Sequence, residues 1–403
     1  MLKNVVILCD YGYIEGGAGR VAHETAIALK KRGLRVLLFC AVGPVSDDLT
    51  GAGVEVTCLN QSDILRAESK IKGALQGVYN KKAATEFAKL LDGLDKNETV
   101  IHAHTWTKGL SSSVFKVAKK KDFQVLLTVH DYFLVCPNGG LFDYPKRQIC
   151  HKKPMSFSCI TCNCDARSYP QKIFRVLRQR KQNSIIRKCN NISYAFISEF
   201  SKREFLKRFD KIPAEKQLFL TNMVNFDENR FRIPCENNDV YLFIGGLTEV
   251  KGIRLFCEAV TKAGVKAVAI GQGILREELE SKYPTVQFVG WKSKAEMLPY
   301  LEKTRCLIFP SVWYETMGLT PLECAAYGIP FICSDLSAAS DFAQENLLYD
   351  GTSIEALTEK ILQMEFLDVK TLSERAFNSF NAEKYSTETY VDNALSLYEE
   401  LLQ

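Results

Sequence analysis

Nowhere in the 403 residues does a run approach the roughly 20 apolar positions that a spanning helix requires. The amino-terminal "MLKNVVILCDYGY" turns polar too soon for a secretory leader, so a cytoplasmic protein is expected. Short-period repeats and low-complexity tracts are also missing, which removes solenoids and disordered arrays. Between Ala166 and Asn190 there is no acid at all, although eight cations fall there: Arg167, Lys172, Arg175, Arg178, Arg180, Lys181, Arg187 and Lys188. These eight exceed the formal net charge of +5, so the remainder of the chain is acidic on balance. The positive character is therefore local and marks one surface suited to an anionic partner.

A chain of this length outgrows a single core, and two domains of about 150 to 220 residues are the natural division. Short apolar runs alternate with amphipathic stretches. "NVVILCD", "RVLLFCAV", "VEVTCL", "TVIHAHTW", "FQVLLTVHD" and "ISYAFIS" read as strands, and "GRVAHETAIALKKRG" and "SSSVFKVAKKK" as helices. That alternation predicts a parallel sheet covered on both faces. A second series, "DVYLFIGGLT", "VKAVAIG", "VQFVGW", "RCLIFPSV" and "IPFICSD", repeats it. The expected division is an amino-terminal domain over 1–222, a linker over 223–238, a carboxy-terminal domain over 239–385 and a closing helix over 386–403.

Doubly wound sheets bind ligands at the carboxyl ends of their strands, and the motifs fall there. After the first strand, a loop with Gly16, Gly17 and Gly19 leads into a helix. Its glycines admit an anion close to the backbone, although a tight unliganded turn explains them too. His130 and Asp131 end a strand. The imidazole suits a substrate hydrogen bond, or else a core position satisfied by backbone, as expected for His102; His104 stays open between the two. After Gly245 and Gly246, Lys251 and Gly252 open a helix, where a lysine opposes the positive end of the helix dipole unless an anion joins it.

In "YETMGLTPLECAAYGIP" the spacing predicts a helix with Thr320 as N-cap, Pro321 first and Glu323 closing a capping box. Glu315 has no such structural duty. Amides at Gly318, Leu319 and Thr320 suit a phosphate, and a carboxylate beside them suits sugar hydroxyls, so a nucleotide-sugar is the expected ligand.

Between 132 and 169 lies a polar loop with five cysteines, Cys136, Cys150, Cys159, Cys162 and Cys164, and His151. Four thiolates close a tetrahedral zinc site; a disulfide or free thiols are the alternatives. The following "PQKIFRVLRQRKQNSIIRK" is a basic amphipathic helix, suited to an anionic lipid surface or to a solvated face packed through its apolar stripe. No recognition motif accompanies the charge, so no nucleic-acid partner is expected.

Taken in order, "GGAGRVAHETAIALKKRG", "VHDYFLVCPNGGLF", "FISEFSKREF", "FIGGLTEVKG" and "YETMGLTPLECAAYGIP" resemble the retaining glycosyltransferases of family 4 over nearly the whole chain. The E-x7-E of Glu315 and Glu323 is the most specific part. The resemblance implies the α/β GT-B fold, two Rossmann-like domains facing across a cleft, with the terminal helix crossing back to the amino-terminal one. It implies that Glu323 holds the ribose and Glu315 faces the donor sugar. Gly318, Leu319 and Thr320 would hold the diphosphate by backbone, assisted by Lys251 and by Gly17 across the cleft, with Gly16, Gly245 and Met317 among the donor-binding residues. His130 would contact the sugar, and Trp291 would mark the base. Relatives commonly carry Gly-Arg-Leu where this chain has Gly245-Gly246-Leu247, so a second phosphate-binding cation must come from elsewhere. The cysteine loop looks like that of polysaccharide-assembling members, which points to Cys136, Cys150, Cys159 and Cys164 as a structural zinc set, with Cys162 competing on spacing.

The implied activity is a metal-independent, retaining hexosyltransferase. It would take a UDP-sugar before a GDP-sugar and act on a glycan or lipid-linked glycan, in bacterial-type surface polysaccharide assembly. The basic segment 167–188 would contact the inner face of the membrane. A nucleotide-sugar epimerase of the same fold and a non-catalytic donor-binding scaffold are the competing readings.

Overall fold

The computed structural model describes residues 1–209, 211–344 and 347–403. The amino-terminal half contributes β1 (Asn4–Tyr11), β2 (Arg35–Val42), β3 (Glu55–Cys58), β4 (Thr99–Ala103) and β5 (Gln124–Val129). After a small antiparallel excursion, β6 (Phe142–Asp143) and β7 (Gln148–Ile149), come β8 (Ile192–Phe196) and β9 (Gln217–Phe219). The main sheet runs β3-β2-β1-β4-β5-β8-β9, every neighbouring pair parallel.

The second half supplies β10 (Val240–Ile244), β11 (Lys266–Ile270), β12 (Val286–Gly290), β13 (Thr304–Phe309), β14 (Phe331–Ser334) and β15 (Leu348–Tyr349). They form a second parallel sheet in the order β12-β11-β10-β13-β14-β15. Almost every residue of β1 and β2 is buried, which explains why they read as continuous apolar runs rather than alternating ones. The expected α/β architecture of two Rossmann-like sheets is what the chain adopts. In each sheet the order reverses beside the first strand, between β1 and β4 and between β10 and β13, and the crevices at those points receive the glycine loops.

The segment joining the sheets is packed rather than free. Met223 joins the amino-terminal core, while Val224, Ile233 and Cys235 belong to the carboxy-terminal one. The terminal helix Thr387–Leu402 lies on the amino-terminal sheet, with Tyr390, Val391, Ala394 and Tyr398 buried against Val5, Ile7 and Leu126. Tyr390 Oη receives a hydrogen bond from Thr25 Oγ1, and Tyr398 Oη lies 2.6 Å from His102 Nδ1, whose Nε2 meets Thr128 Oγ1 at 2.7 Å. His102 is thus a satisfied core imidazole, served by side chains rather than backbone. Among the described residues no helix is long and apolar enough to cross a membrane.

One glycine sets the spacing between two crevice loops. Gly252 has φ +71, and a Cβ there would fall 1.8 Å from the Pro310 carbonyl oxygen. The turn carrying Lys251 therefore sits directly against the end of β13.

Replacing Gly252 with alanine should remove on the order of 3 kcal/mol from unfolding stability in denaturant titration, through both the positive φ and the clash. Acid should loosen the terminal-helix seam. Burial pushes His102 down to about 3, so below its ordinary value the unfolded chain takes up a proton that the folded chain refuses. Stability then falls as pH drops from about 6.5 toward 3. His102→Gln should remove about 2 kcal/mol of the stability lost between pH 7 and 5, read as denaturant midpoints at the two values.

Candidate active site

Gly318, not Thr320, opens the helix Leu319–Ala325, with φ +82 and no side-chain cap. Glycine enters the left-handed region freely and begins the helix two residues earlier than the expected threonine cap. Thr320 and Pro321 are therefore inside the first turn, and Glu323 closes no capping box. None of the amides of Gly318, Leu319 and Thr320 donates to another group among the described residues. The Met317 side chain is buried in the carboxy-terminal core, so it offers the crevice only its backbone.

Released from capping, Glu323 reaches across to the other domain. Its Oε1 lies 2.7 Å from Arg20 Nη2, in the helix Gly16–Lys31 that follows the first glycine loop. Arg20 also stands 3.7 Å from Glu24. Burial pulls the Arg20 guanidinium down, but Glu323 outweighs it and the net shift is upward. Gly17 shares this approach: a Cβ there would lie 3.7 Å from Leu319 Cδ1. Sequence reasoning passed over Arg20, the fifth residue of its helix, which lies one turn beyond Gly16.

Glu315 is 9% exposed and held from both sides of its backbone, its amide donating to Leu336 O and its carbonyl accepting from Ala338 N. Lys251 Nζ approaches Glu315 Oε2 at 2.5 Å, Trp313 Nε1 at 3.2 Å and Ser311 Oγ at 3.4 Å. All three converge on one oxygen, and Oε1 has no partner among the described residues. The anion that relieves Lys251 at its helix start is thus already in the chain. The Lys251 ammonium also stands 5.5 Å from the Trp313 ring centre.

The domains touch at this point. Thr316 Oγ1 donates to the His130 carbonyl at 2.9 Å, and Ser198 Oγ donates to the Thr316 carbonyl at 2.6 Å. The His130 ring does not turn to backbone: its Nε2 lies 3.0 Å from His104 Nδ1, and His104 Nε2 is buried without a partner. Burial pushes His130 down to about 4, so the imidazole is neutral near pH 7. Burial likewise lifts Asp131 to about 6, while its carboxylate accepts from the Phe133 amide. A groove of about 480 Å³ lies between the first helix and the short helix Asp47–Gly51, lined by Ile14, His23, Glu24, Ile27, Asp47, Asp48 and Gly51. Trp291 follows the edge strand β12 and is 64% exposed. Gly245 is fixed by its amide donating to the Ile270 carbonyl.

Among the described residues no group of three Cys, His, Asp or Glu side chains is placed to hold a metal ion, the set Cys136, Cys150, Cys159 and Cys164, or Cys162 in place of one of them, included. The fully buried Lys172 enters instead, its Nζ 3.3 Å from Cys164 Sγ and 3.8 Å from Cys159 Sγ, and an ammonium there opposes a metal cation. Cys136 turns to Asn138 Oδ1 and Cys162 to Asp143, leaving Cys150 outside either contact. The loop is ordered by polar bonds: Asn138 Nδ2 donates to the Phe142 carbonyl, and Arg175 pairs with the buried Asp165 at 2.7 Å.

Two family models match the chain, one on each domain: "Glycosyl transferase 4-like domain" over 16–152 and "Glycosyl transferases group 1" over 238–365. A Klebsiella pneumoniae protein described as "Uncharacterized 41.2 kDa protein in cps region" is 20% identical over 313 residues, covering 74% of this chain and 78% of that protein. The crystal structure of a glycosyltransferase from Rickettsia africae ESF-5 superposes with TM-score 0.69 at 18% identity, covering 100% of this chain and 99% of the other. Anabaena Alr3699/HepE, solved in complex with UDP and glucose, gives TM-score 0.64 at 16% identity, covering 98% and 99%. Those structural likenesses establish the fold, and the two family models, one on each side of the crevice that holds Glu315 and Glu323, establish the family. The chain belongs to the family 4-like glycosyltransferases of the GT-B fold.

Proposed function

We propose that the protein transfers a hexose from a nucleoside diphosphate sugar to a hydroxyl of a glycan or lipid-linked glycan, with retention at the anomeric carbon and without a divalent metal. UDP is the favoured nucleotide and GDP the alternative. The observation that carries this reading is the pair of carboxylates flanking an uncapped amide edge, each matched by a cation, Lys251 for Glu315 and Arg20 for Glu323. Support also comes from the neighbour solved with UDP and glucose and from the relative named for a cps region.

In this reading Glu323 accepts hydrogen bonds from ribose hydroxyls, which a carboxylate can do in pairs. The diphosphate lies along the amides of Gly318, Leu319 and Thr320, near Gly245, Gly16 and Gly17. As the bond from the anomeric carbon to the phosphate oxygen breaks, negative charge grows on that oxygen, and Lys251 with the amides stabilises it. The acceptor hydroxyl attacks from the same face, its oxygen bonding to the anomeric carbon while its proton passes to the departing phosphate. Glu315, held through one oxygen by three donors, keeps the other for the sugar and orients it. The neutral His130 contributes a hydrogen bond rather than a charge. The groove lined by Glu24, Asp47 and Asp48 offers acceptor hydroxyls further carboxylates. Catalysis on a lipid-linked acceptor places the enzyme at the inner face of a membrane as a peripheral protein.

A panel of nucleotide-sugars screened by thermal shift should single out one donor, because a ligand that binds only the folded state raises its melting temperature. With that donor and an acceptor, NMR should report a product of unchanged anomeric configuration, formed equally well in chelator; an inverted product would refute the retaining course. Glu323→Ala should raise the donor KM by about 10- to 100-fold with little change in kcat, as expected for two lost charge-assisted bonds. Lys251→Ala should lower kcat by about 100- to 1,000-fold, the usual cost of one donor to a developing oxyanion. If Lys251→Ala turned over normally while Glu323→Ala lost donor binding, the leaving-group role of Lys251 would be wrong.

A further inference from the structure

Two helices of the amino-terminal domain pack side by side, Lys70–Val78 and Tyr169–Ile186. Their contact is close: a Cβ at Gly77 would lie 2.8 Å from the Phe174 ring. The inward face of the longer helix is fully used. Gln179 Nε2 donates to the Leu134 carbonyl, Gln182 Nε2 to Phe133, and Arg178 to Pro137, while Lys172 enters the cysteine cluster. The cations of this segment therefore divide, and Lys172, Arg175 and Arg178 are not on the surface that the sequence count suggested.

The outward faces have no such employment. Ile71 and Leu75 stand one turn apart at 74% and 67% exposure, and Leu177, 55% exposed, continues the stripe of Ile173 on the neighbouring helix. Around them lie Lys70, Lys72, Arg180 and Lys181, none paired with a carboxylate among the described residues, and neither helix contains an acid. Four large apolar side chains flanked by cations that have no carboxylate partner among the described residues fit neither a solvated surface nor a helix awaiting a hydrophobic core.

We propose that this two-helix face seats the protein on an anionic phospholipid bilayer, with Ile71, Leu75, Ile173 and Leu177 entering the headgroup boundary and the cations meeting lipid phosphates. It rests on the proposed reading only for its purpose. The same helices are fastened to the loops that end in the cleft, through Phe133 and Leu134 just after His130, and through Gln76, which donates to the Gly109 carbonyl after β4. A lipid-linked hydroxyl would thus be offered on the acceptor side.

The full chain should co-float with vesicles of phosphatidylcholine and phosphatidylglycerol, much less with phosphatidylcholine alone, and be released by salt. Each cation near an anionic surface is worth about a fivefold change in partition, so Lys70→Glu with Lys72→Glu should weaken binding by more than tenfold. Ile71→Asp with Leu75→Asp should do the same, with melting temperature and UDP-induced stabilisation unchanged in both double variants. Equal binding by wild type and variants, or no binding to the anionic vesicles, would overturn the proposal. So would a wild-type dimer in analytical ultracentrifugation that Ile71→Asp and Leu75→Asp dissolve, which would assign the face to a second copy. Failure of UDP to stabilise any of these proteins would sink the transferase reading alone and leave vesicle binding as a separate result.

Discussion

The contact on which the crevice depends is the ion pair of Lys251 with Glu315. Both partners are partly withdrawn from water, and a carboxylate left alone at that depth would be costly. The pair exists because Gly252 lets its turn approach Pro310 more closely than any side chain could, and because Glu315 is pinned through its own amide and carbonyl to the turn after β14, at Leu336 and Ala338. The same pinning directs Oε2 toward three donors, so the free Oε1 is defined by elimination. A helix start with no cap then leaves amides beside this fixed charge. A single backbone clearance thus organises the charged side of the crevice.

The second pair, Arg20 with Glu323, joins the two domains, and it belongs to a seam rather than to either core. Thr316 and Ser198 cross at the same place, each hydroxyl donating to a backbone carbonyl of the other domain. The terminal helix closes the far side, where Tyr398 and His102 share a proton-bearing contact. His102, His104 and His130 then form a short series leading from that helix to the crevice, with ring centres 4.1 Å and 5.3 Å apart, the first pair tilted and the second stacked. Desolvation by burial lowers all three, and for His102 and His104 the neighbouring imidazoles add to it.

The fold was legible because parallel strands buried on both faces leave continuous apolar runs, and the observed β1, β2 and β10 fall where such runs stand. The motif positions were legible too, since glycines and lone charges at strand ends have few local reasons to exist. What composition could not reveal was direction. Thr320 has the features of a cap, but Gly318 two residues earlier offers a cheaper left-handed start. Met317 has no marker that distinguishes a core side chain from a ligand contact. Five cysteines in a polar loop suggest zinc by count alone, whereas Lys172, eight residues beyond the last of them, folds back among the thiols. Arg20 was missed because its partner is 303 positions away, and only the cleft brings the two together.

In the proposed reaction the absence of arginine at Gly246 changes the charge balance rather than the chemistry. Lys251 and Arg20 are each already matched by a carboxylate, so the empty constellation is close to neutral, and a diphosphate entering it meets amide dipoles before it meets a free cation. If Glu323 turns to the ribose, Arg20 loses part of its partner and gains capacity for an anion, which couples nucleotide recognition to phosphate binding across the cleft. The donor would supply the missing counter-charge for Arg20 only when both its ribose and its diphosphate are present. In that proposed reaction a nucleoside or a free diphosphate alone would satisfy half of that exchange, and only the joined donor would satisfy both.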